Sequence, residues 1–424
     1  MRRSRLILVC ALGLVIVSCS RTPSPDQIAA QHDAVRAALQ RRPSYVGGDT
    51  RSKQLWEATR KYYDSHDDAL LWSDGTKPND RFAALSRACA HAGEDGLEPA
   101  DYQPGTFDAA HAADGDVRAT YVFFQYAIDL SRGTIDPEVI NHDWHPTPRS
   151  VKIDAALDDA RESGDVAAAL QKLAPHTPQY LGLKHQLAAC PDDRCRLTVS
   201  MNMDRWRWLP DDLGSRYLIV NIPAFRLDAI EDGKSVLEMK VVTGKKDNPT
   251  PVLADEMTSV VFSPTWNIPE DIVTREIQPK VAKDPDYLSR NNMEVDDKGR
   301  YRQLPGKGNS LGSVKFLFPN HFNVYLHDTP SKNLFERIER DYSHGCVRVE
   351  EPLVLAKYVL RDQPEWTEDR IKAAMDSGVE QSVKLKQPLP IYLVYFTAWE
   401  ENGTLRTVAD VYGHDRRQQS SSRT

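Results

Sequence analysis

The first half of the chain carries apolar residues at helical spacing. Between residue 28 and about residue 185, apolar positions recur every three or four residues, as in the set Ala30, Val35, Ala38 and Leu39. Proline or glycine follows several of these segments, for example Pro175 and Pro178 after residues 154–173. A period near 3.6 residues, ended by such breaks, predicts amphipathic helices. We therefore predict a helical domain over residues 46–195.

The pattern changes after residue 196 to short apolar runs joined by tight turns. Residues 217–222 and 225–230 are rich in strand-forming side chains, and Asp232-Gly233 is typical of a hairpin turn. Similar runs follow, with few helical patterns between them. Strands joined directly by short turns favour an antiparallel sheet. The predicted fold class is α+β, with the helical domain followed by a mainly antiparallel β domain over residues 196–415.

A polar stretch interrupts the β domain over residues 270–311. Asp284-Pro285 and Gly306-Lys307-Gly308 break its local pattern. Long insertions in small domains often serve as lids or binding loops, so we predict a lid here. The polar residues 416–424 are predicted to be a flexible tail.

The N-terminus has the pattern of an export signal. Three arginines within the first five residues precede an apolar run over residues 6–17, which is too short to span a membrane. The sequence around Cys19 resembles the lipobox of bacterial lipoproteins. This resemblance implies that residues 1–18 are a signal peptide and that lipid is attached to Cys19. An ordinary secretory signal with a cysteine there by chance is the alternative.

The residues after the signal bear on the destination of the protein. Ser20 follows Cys19 where an aspartate would suggest inner-membrane retention, so the outer membrane is favoured, on the periplasmic side of the envelope. We predict that residues 19–45 are a tether.

Composition and cysteine use are consistent with an exported globular protein. The chain of 424 residues is 40% hydrophobic and 27% charged, and its net charge of −7 argues against a nucleic-acid partner. Cys190 and Cys195 are separated by four residues, which predicts a local disulfide in an oxidising compartment. Half of a metal site is the alternative, although the sequence offers no second Cys/His pair nearby.

Cys346 is the cysteine whose neighbours suit reactivity. A thiol at its ordinary pKa is mostly protonated at neutral pH, so a nucleophilic cysteine needs a base or positive charge nearby. His344 and Arg348 lie two residues to either side, and His327 follows a predicted strand 19 positions earlier. Residues two apart share a face in an extended segment, so His344, Cys346 and Arg348 could line one pocket.

The remaining groups needed for acyl transfer lie in the same run. Gly345 allows close approach of a ligand, and the N–H groups of Gly345 and Cys346 could act as oxyanion donors. His344 is adjacent, but neighbours on one strand seldom make a good nucleophile–base pair. His327, from a separate strand, could meet the sulfur at ~3 Å. The residues alone leave the choice of base open.

The spacing from His327 to the run Ser343-His344-Gly345-Cys346 resembles the signature of the L,D-transpeptidases, which have a YkuD-type catalytic domain. Residues 205–210, 264–269, 325–330 and 95–99 also resemble the large periplasmic branch of that family. The resemblance covers most of residues 55–415. It implies an N-terminal helical scaffold domain followed by the catalytic domain.

The resemblance implies a cell-wall enzyme that needs no metal or organic cofactor. Cys346 would attack a tetrapeptide stem after the L-centre of diaminopimelate and expel D-alanine, with His327 as base and with His344 and Gly345 in the catalytic site. The side-chain amine of a second stem would then resolve the acyl-enzyme into a 3→3 cross-link. Carbapenem-type β-lactams are expected to acylate Cys346.

The resemblance also implies substrate-binding residues. Ser343 and Arg348 would shape the site, and the guanidinium fork of Arg348 suits a carboxylate. Tyr325 and Trp266 are predicted to form its walls. Many relatives carry a peptidoglycan-binding module between the two domains, for which this sequence has no room, so the scaffold, lid or tether would gather substrate.

Four further functions fit the same residues. An L,D-carboxypeptidase would transfer the acyl group to water, and a lipoprotein-attaching enzyme would transfer it to a protein amine. A zinc hydrolase would use His327, His344 and Cys346 as metal ligands. A wall-binding lipoprotein would use the same fold without catalysis.

Overall fold

The computed structural model describes residues 24–142, 144–145 and 149–421. The predicted signal peptide and Cys19 lie outside these described residues. Within the described part of the chain, no helix is both long and apolar enough to cross a membrane.

The described chain divides into two compact units. One contains the residues up to Phe82 together with Gly105–Tyr121, and the other contains Ala83–Pro104 and the residues from Val122 onward. The catalytic motif and every strand lie in the second unit.

Helices form most of the first half of the chain, as the helical spacing predicted. In chain order the helices are α1 (Pro25–Leu39), α2 (Thr50–Asp64), α3 (Asp80–Ala90), α4 (Ala112–Arg132), α5 (Pro137–Ile140), α6 (Ile153–Ser163), α7 (Val166–Gln171), α8 (Pro178–Ala188), α9 (Asp193–Arg207), α10 (Glu270–Ile272), α11 (Gln278–Lys283), α12 (Tyr287–Arg290), α13 (Pro352–Val359), α14 (Glu368–Asp376) and α15 (His414–Ser421).

Local capping explains where several helices begin and end. The Asp49 carboxylate accepts a hydrogen bond from the Ser52 N–H at the start of α2. Thr177 caps α8, whose first residue is Pro178, and α6 ends at Gly164 with φ of +75°. Each feature satisfies backbone groups that a helix end leaves unpaired.

Helix α9 crosses the predicted domain boundary at residues 195/196. Arg207 of α9 hydrogen-bonds the Asp95 carbonyl at 2.5 Å and the Tyr180 hydroxyl at 2.8 Å, both in the scaffold half. Arg205, two residues earlier, bonds the Tyr395 carbonyl at 3.1 Å in the β half. The polar helix α9 thus packs on both halves through buried guanidinium groups, and the next strand of the sheet, β2, begins after it at residue 216.

Both ends of the described chain are more ordered than predicted. Helix α1 occupies part of the predicted tether and buries Val35, Ala38 and Leu39. Helix α15 replaces most of the predicted flexible tail, and its Gln418 is buried and bonded to Arg205 at 3.0 Å. The flexible-tail prediction is wrong for residues 416–421, because a buried polar contact holds that helix. Cys190 and Cys195 form the predicted disulfide, between the end of α8 and the first turn of α9.

Strands form most of the second half. In chain order they are β1 (Trp144–His145), β2 (Arg216–Asn221), β3 (Arg226–Glu231), β4 (Lys234–Gly244), β5 (Val252–Phe262), β6 (Trp266–Asn267), β7 (Met293–Val295), β8 (Tyr301–Gln303), β9 (Val314–Leu317), β10 (Leu326–His327), β11 (Asp341–Ser343), β12 (Val347–Val349), β13 (Gln381–Val394), β14 (Ala398–Glu401) and β15 (Thr404–Thr407).

The large sheet closes on itself. Its strand order is β1-β5-β13-β2-β3-β4-β12-β10-β9, with β11 paired to β4, and β9 pairs back to β5. Most pairs are antiparallel, while β13–β2 and β10–β12 are among the parallel ones. Alternate residues, such as Leu218 and Val220 of β2 and Leu227 and Ala229 of β3, fill the core, and α13 and α14 pack on it. The predicted mainly antiparallel fold is confirmed.

The insertion over residues 270–311 has a small core of its own. Helices α10 to α12, a π-helical turn at Val273–Ile277 and the three-stranded sheet β6-β8-β7 surround it. Its buried members are Ile268, Ile272, Val273 and Ile277. The insertion is therefore a folded subdomain and not an extended loop.

Candidate active site

Three neighbouring strands present one row of side chains. His327 of β10 is in register with Lys315 of the antiparallel neighbour β9 and with Arg348 of the parallel neighbour β12. Residues directly across from one another on paired strands project to the same face. The imidazole therefore lies between two cationic side chains.

Cys346 lies in the bend that joins β11 to β12. Gly345 has φ of +112°, a conformation that glycine tolerates, and Thr250 Oγ1 donates to the Gly345 carbonyl at 2.8 Å. The expectation of an extended segment from His344 to Arg348 is therefore wrong, because the chain turns at Gly345. Strands β10 and β12 pair Leu326 with Val347. Tyr325 and Cys346, each one residue earlier, therefore lie across from each other.

The sulfur of Cys346 is held in a neutral state. Burial raises the pKa of the thiol to about 11, although hydrogen bonds from the Tyr325 N–H and hydroxyl and the charges of Arg348 and Lys315 act to lower it. The thiol also donates to the Asn323 carbonyl at 3.9 Å. At neutral pH the resting sulfur is therefore a thiol, and attack requires a base.

His327 is in the state that a base requires. Its Nδ1 lies 2.5 Å from the Asp328 carbonyl oxygen, which can only accept, so Nδ1 carries the proton and Nε2 has the free lone pair. Burial, then the charge of Arg348, lowers the pKa of His327 to about 4. The Asp328 carboxylate faces away and binds Ser313 and Lys332.

The thiol and the imidazole share a face without being bonded in the resting structure. Among the described residues, the Cys346 sulfur donates to the Asn323 carbonyl and accepts from Tyr325, and no hydrogen bond joins it to His327. Diagonal neighbours on paired strands have Cα atoms about 7–8 Å apart, within reach of long side chains. Catalytic hydrogen bonds often tighten only when substrate binds.

Two family models match this chain. The family model for the YkuD L,D-transpeptidase catalytic domain matches residues 215–372, and the model for the scaffold domain matches residues 57–187. The chain carries an L,D-transpeptidase catalytic domain behind a scaffold domain.

Sequence and structural relatives carry the same description. A Haemophilus influenzae protein named "Putative L,D-transpeptidase" is 35% identical over 237 residues, covering 51% of this chain and 48% of the relative. The chain thus spans about half the length of that curated relative.

Two solved structures are also similar. The L,D-transpeptidase from Mycobacterium smegmatis is 14% identical and covers 42% of this chain and 58% of its own, with a TM-score of 0.25. L,D-transpeptidase 3 from Mycobacterium tuberculosis, in complex with a faropenem-derived adduct, is 16% identical and covers 42% and 60%, with a TM-score of 0.23. At these values the structural likeness does not bear on the activity of this chain.

One of the two predicted oxyanion donors is already hydrogen-bonded within the bend. The Gly345 N–H donates to Ser343 Oγ at 3.2 Å, and Ser343 Oγ donates to the Cys346 carbonyl. Ser343 is buried and braces the bend from within. In the part of the chain that the structure describes, the Cys346 N–H has no hydrogen-bond acceptor, so it is the available donor of the pair.

The remaining predicted site residues lie in two places. Tyr325 lies across from Cys346 and acts on its thiol. Trp266 of β6 packs against the core of the insertion. His344 Nε2 lies 2.8 Å from Glu276 Oε1 of the insertion.

The described residues contain no group of three or more His, Cys, Asp or Glu side chains that could hold a metal ion.

Two site residues were not predicted from the sequence. Lys315 is placed beside His327 by the register of β9 with β10, and Glu276 is placed at the motif by its contact with His344. The available signal for Lys315 was a single lysine inside the apolar run 314–318. Glu276 lies in a polar segment where no spacing distinguishes it from its neighbours.

The raised thiol pKa predicts slow alkylation of Cys346. Iodoacetamide has no stem-like groups to bring His327 onto the sulfur, so it reports the thiolate of the resting site. Its rate should rise about tenfold per pH unit from about pH 7 to about pH 10, without a plateau. Peptide mass spectrometry separates Cys346 from the buried Cys89, whose pKa is raised by burial to about 12. A plateau near neutral pH at Cys346 would mean a resting thiolate and would contradict the assignment.

Proposed function

We propose that this chain is a cysteine L,D-transpeptidase that forms 3→3 cross-links between peptidoglycan stem peptides. One observation carries the proposal: inside the matched catalytic domain, a thiol and a neutral imidazole share a face with two cations. The groups are Cys346, His327, Lys315 and Arg348. A nucleophile, a base and sites for anionic substrate groups are what acyl transfer between stem peptides needs.

The first half-reaction uses the base and the cations. Lys315 and Arg348 suit the carboxylates of a tetrapeptide donor, because charge-assisted contacts to carboxylates are strong. His327 Nε2 takes the thiol proton as the Cys346 sulfur bonds to the carbonyl carbon at the L-centre of diaminopimelate. The amide bond to D-alanine breaks, and the imidazolium returns the proton to the departing nitrogen. A thioester remains.

The second half-reaction releases the enzyme. The side-chain amine of a second stem attacks the thioester, its C–N bond forms, and the C–S bond breaks. In both steps the Cys346 N–H would stabilise the carbonyl oxygen as it becomes negative, a contribution of about 3–4 kcal/mol per donor in similar sites.

The proposal includes a location at the cell envelope. The export signal and the lipobox-like sequence at Cys19 support a lipid-anchored protein on the periplasmic side, with the outer membrane favoured. Peptidoglycan stems are accessible there. Labelling with radioactive palmitate that is lost in Cys19→Ala would support the anchor, and unchanged labelling would contradict it.

Product analysis tests the proposed reaction. Incubation of the full chain with tetrapeptide muropeptides should give a dimer that has lost one D-alanine, and fragmentation should place the bond between two diaminopimelates. Tripeptide muropeptides, which lack the fourth residue, should stay monomeric in the same buffer. Tripeptides as the sole product would make the chain an L,D-carboxypeptidase, and unchanged tetrapeptide would refute both activities.

A further inference from the structure

The insertion contacts the catalytic motif through one ion pair. Glu276 Oε1 lies 2.8 Å from His344 Nε2, and the two side chains remain 40% and 31% exposed. Glu276 lies in the π-helical turn Val273–Ile277, a type of turn that often occurs at functional sites. His344 is two residues before Cys346, so their Cα atoms are at most about 7 Å apart. A partly accessible carboxylate of the insertion is therefore held on the catalytic motif, at the histidine two residues before the nucleophile.

Two cations of the closed sheet, here called the barrel, act on the thiol, and one anion of the insertion contacts the catalytic motif. Lys315 and Arg348, on β9 and β12, are both close enough to lower the pKa of the thiol. Glu380 also acts on Lys315 and accepts a hydrogen bond from the Thr265 N–H at 2.5 Å. Glu276 supplies negative charge from the insertion, at the motif itself. The catalytic motif thus has two cations near its thiol and, at His344, one anion from the insertion.

We propose that Glu276, together with His344, binds the amine of the acceptor. The inference rests on the proposed function and identifies the ligand of its second half-reaction. That ligand is a primary ammonium group beside a carboxylate, as at the D-centre of diaminopimelate. The carboxylate of Glu276 attracts the ammonium, and the barrel cations suit the neighbouring carboxylate. Water, the competing acceptor, gains nothing from this charge.

The Glu276 carboxylate can also accept the proton that the acceptor ammonium must lose. An ammonium group has no lone pair, so it must lose one proton before it can attack the thioester. That proton passes to Glu276 and then to solvent. As the C–N bond forms and the C–S bond breaks, the nitrogen loses a second proton, which returns to the Cys346 sulfur through His327. One amide and one thiol result, with one proton released.

Glu276→Gln tests the acceptor site because it removes the charge and keeps the shape. A mass-labelled tetrapeptide serves as donor, and an unlabelled tripeptide stem, which can only accept, is titrated against it. We expect the acceptor concentration for half-maximal cross-linking to rise roughly tenfold, with more donor released as tripeptide. Formation of the acyl-enzyme, followed by intact mass with a carbapenem, should stay within about twofold of the unsubstituted chain.

Glu270→Gln is the matched control. Glu270 is an exposed glutamate on the same insertion, at the first turn of α10, and its substitution should change neither measurement. If Glu276→Gln slows acylation, or lowers dimer and tripeptide together, Glu276 acts on the donor or on closure of the insertion and the acceptor role is wrong. An unchanged ratio of dimer to tripeptide also overturns it. If the unsubstituted chain forms no acyl-enzyme at all, the proposed function itself fails, and this inference falls with it.

Discussion

Cys346→Ala is expected to abolish dimer formation and tripeptide release together, a loss of roughly 10⁴- to 10⁶-fold. Both products come from one thioester, and no other described thiol lies near the row formed by Lys315, His327 and Arg348. The sulfur makes only weak hydrogen bonds, to Asn323 and Tyr325, so its removal should leave the fold intact. Thermal unfolding of the variant should stay within a few degrees of the unsubstituted chain.

Carbapenem labelling tests the same nucleophile through the covalent bond that the drug forms with it. The unsubstituted chain should gain the mass of one carbapenem, and Cys346→Ala should gain none, because the acylated atom is absent. Cys89→Ala is the control, since Cys89 is the other free cysteine of the described residues and is buried in α3. Labelling of Cys346→Ala would mean that another side chain is the nucleophile, and tripeptide release without labelling would point to the metal-bound water of a zinc hydrolase.

The sequence predicted the strands and turns that depend only on residues close together in the chain. Strands β2 and β3 agree with the predicted runs 217–222 and 225–230 to within about two residues, and β4 begins directly after the predicted turn at Asp232-Gly233. Asp232 and Gly233 both have positive φ, which is the conformation a two-residue hairpin turn requires. Such turns depend on two residues, and alternation then fixes which side of the strand faces the core.

Long-range pairing could not be predicted in this way. The parallel pairing of β13 with β2 and the closure of the sheet by β9 on β5 join segments that are far apart in sequence. Alternating apolar residues are equally consistent with many partners, so strand order stays undetermined. Helix α9 was divided by the prediction because its buried face carries Arg205 and Arg207, and guanidinium groups do not mark a core position in an apolar pattern.

The residues of the candidate site fall into the same two groups, those indicated by local sequence and those that depend on long-range contacts. Cys346, His344 and Arg348 are close in sequence, and the spacing to His327 identified a family. The contacts that set the charge of the site come from elsewhere. Lys315 depends on the register of β9 with β10, and Glu276 depends on how the insertion folds back on the motif. Neither the register of two strands nor the docking of a subdomain is encoded in a local window.

His327→Gln is expected to slow acylation of Cys346 by roughly 10²- to 10⁴-fold. The thiol pKa of about 11 leaves little thiolate at neutral pH, so the reaction depends on proton transfer to the neutral imidazole. Glutamine can occupy the space and keep a hydrogen bond to the Asp328 carbonyl, but its amide is not a base. The measurement is the rate of mass gain with a carbapenem.

The pH dependence separates the two candidate bases. In the unsubstituted chain, acylation should rise as His327 loses its proton near its depressed pKa of about 4 and then stay level through neutral pH. In His327→Gln, the rate should follow the thiolate and rise about tenfold per unit from about pH 6 to about pH 9, because the thiol deprotonates only near its raised pKa. His344→Gln should keep the level profile, and so should His176→Gln, which changes an exposed histidine of the scaffold half. The base is the residue whose removal makes the rate follow the thiolate, because that residue had been taking the proton. A level profile in His327→Gln together with a tenfold slope in His344→Gln would therefore show that His344 is the base.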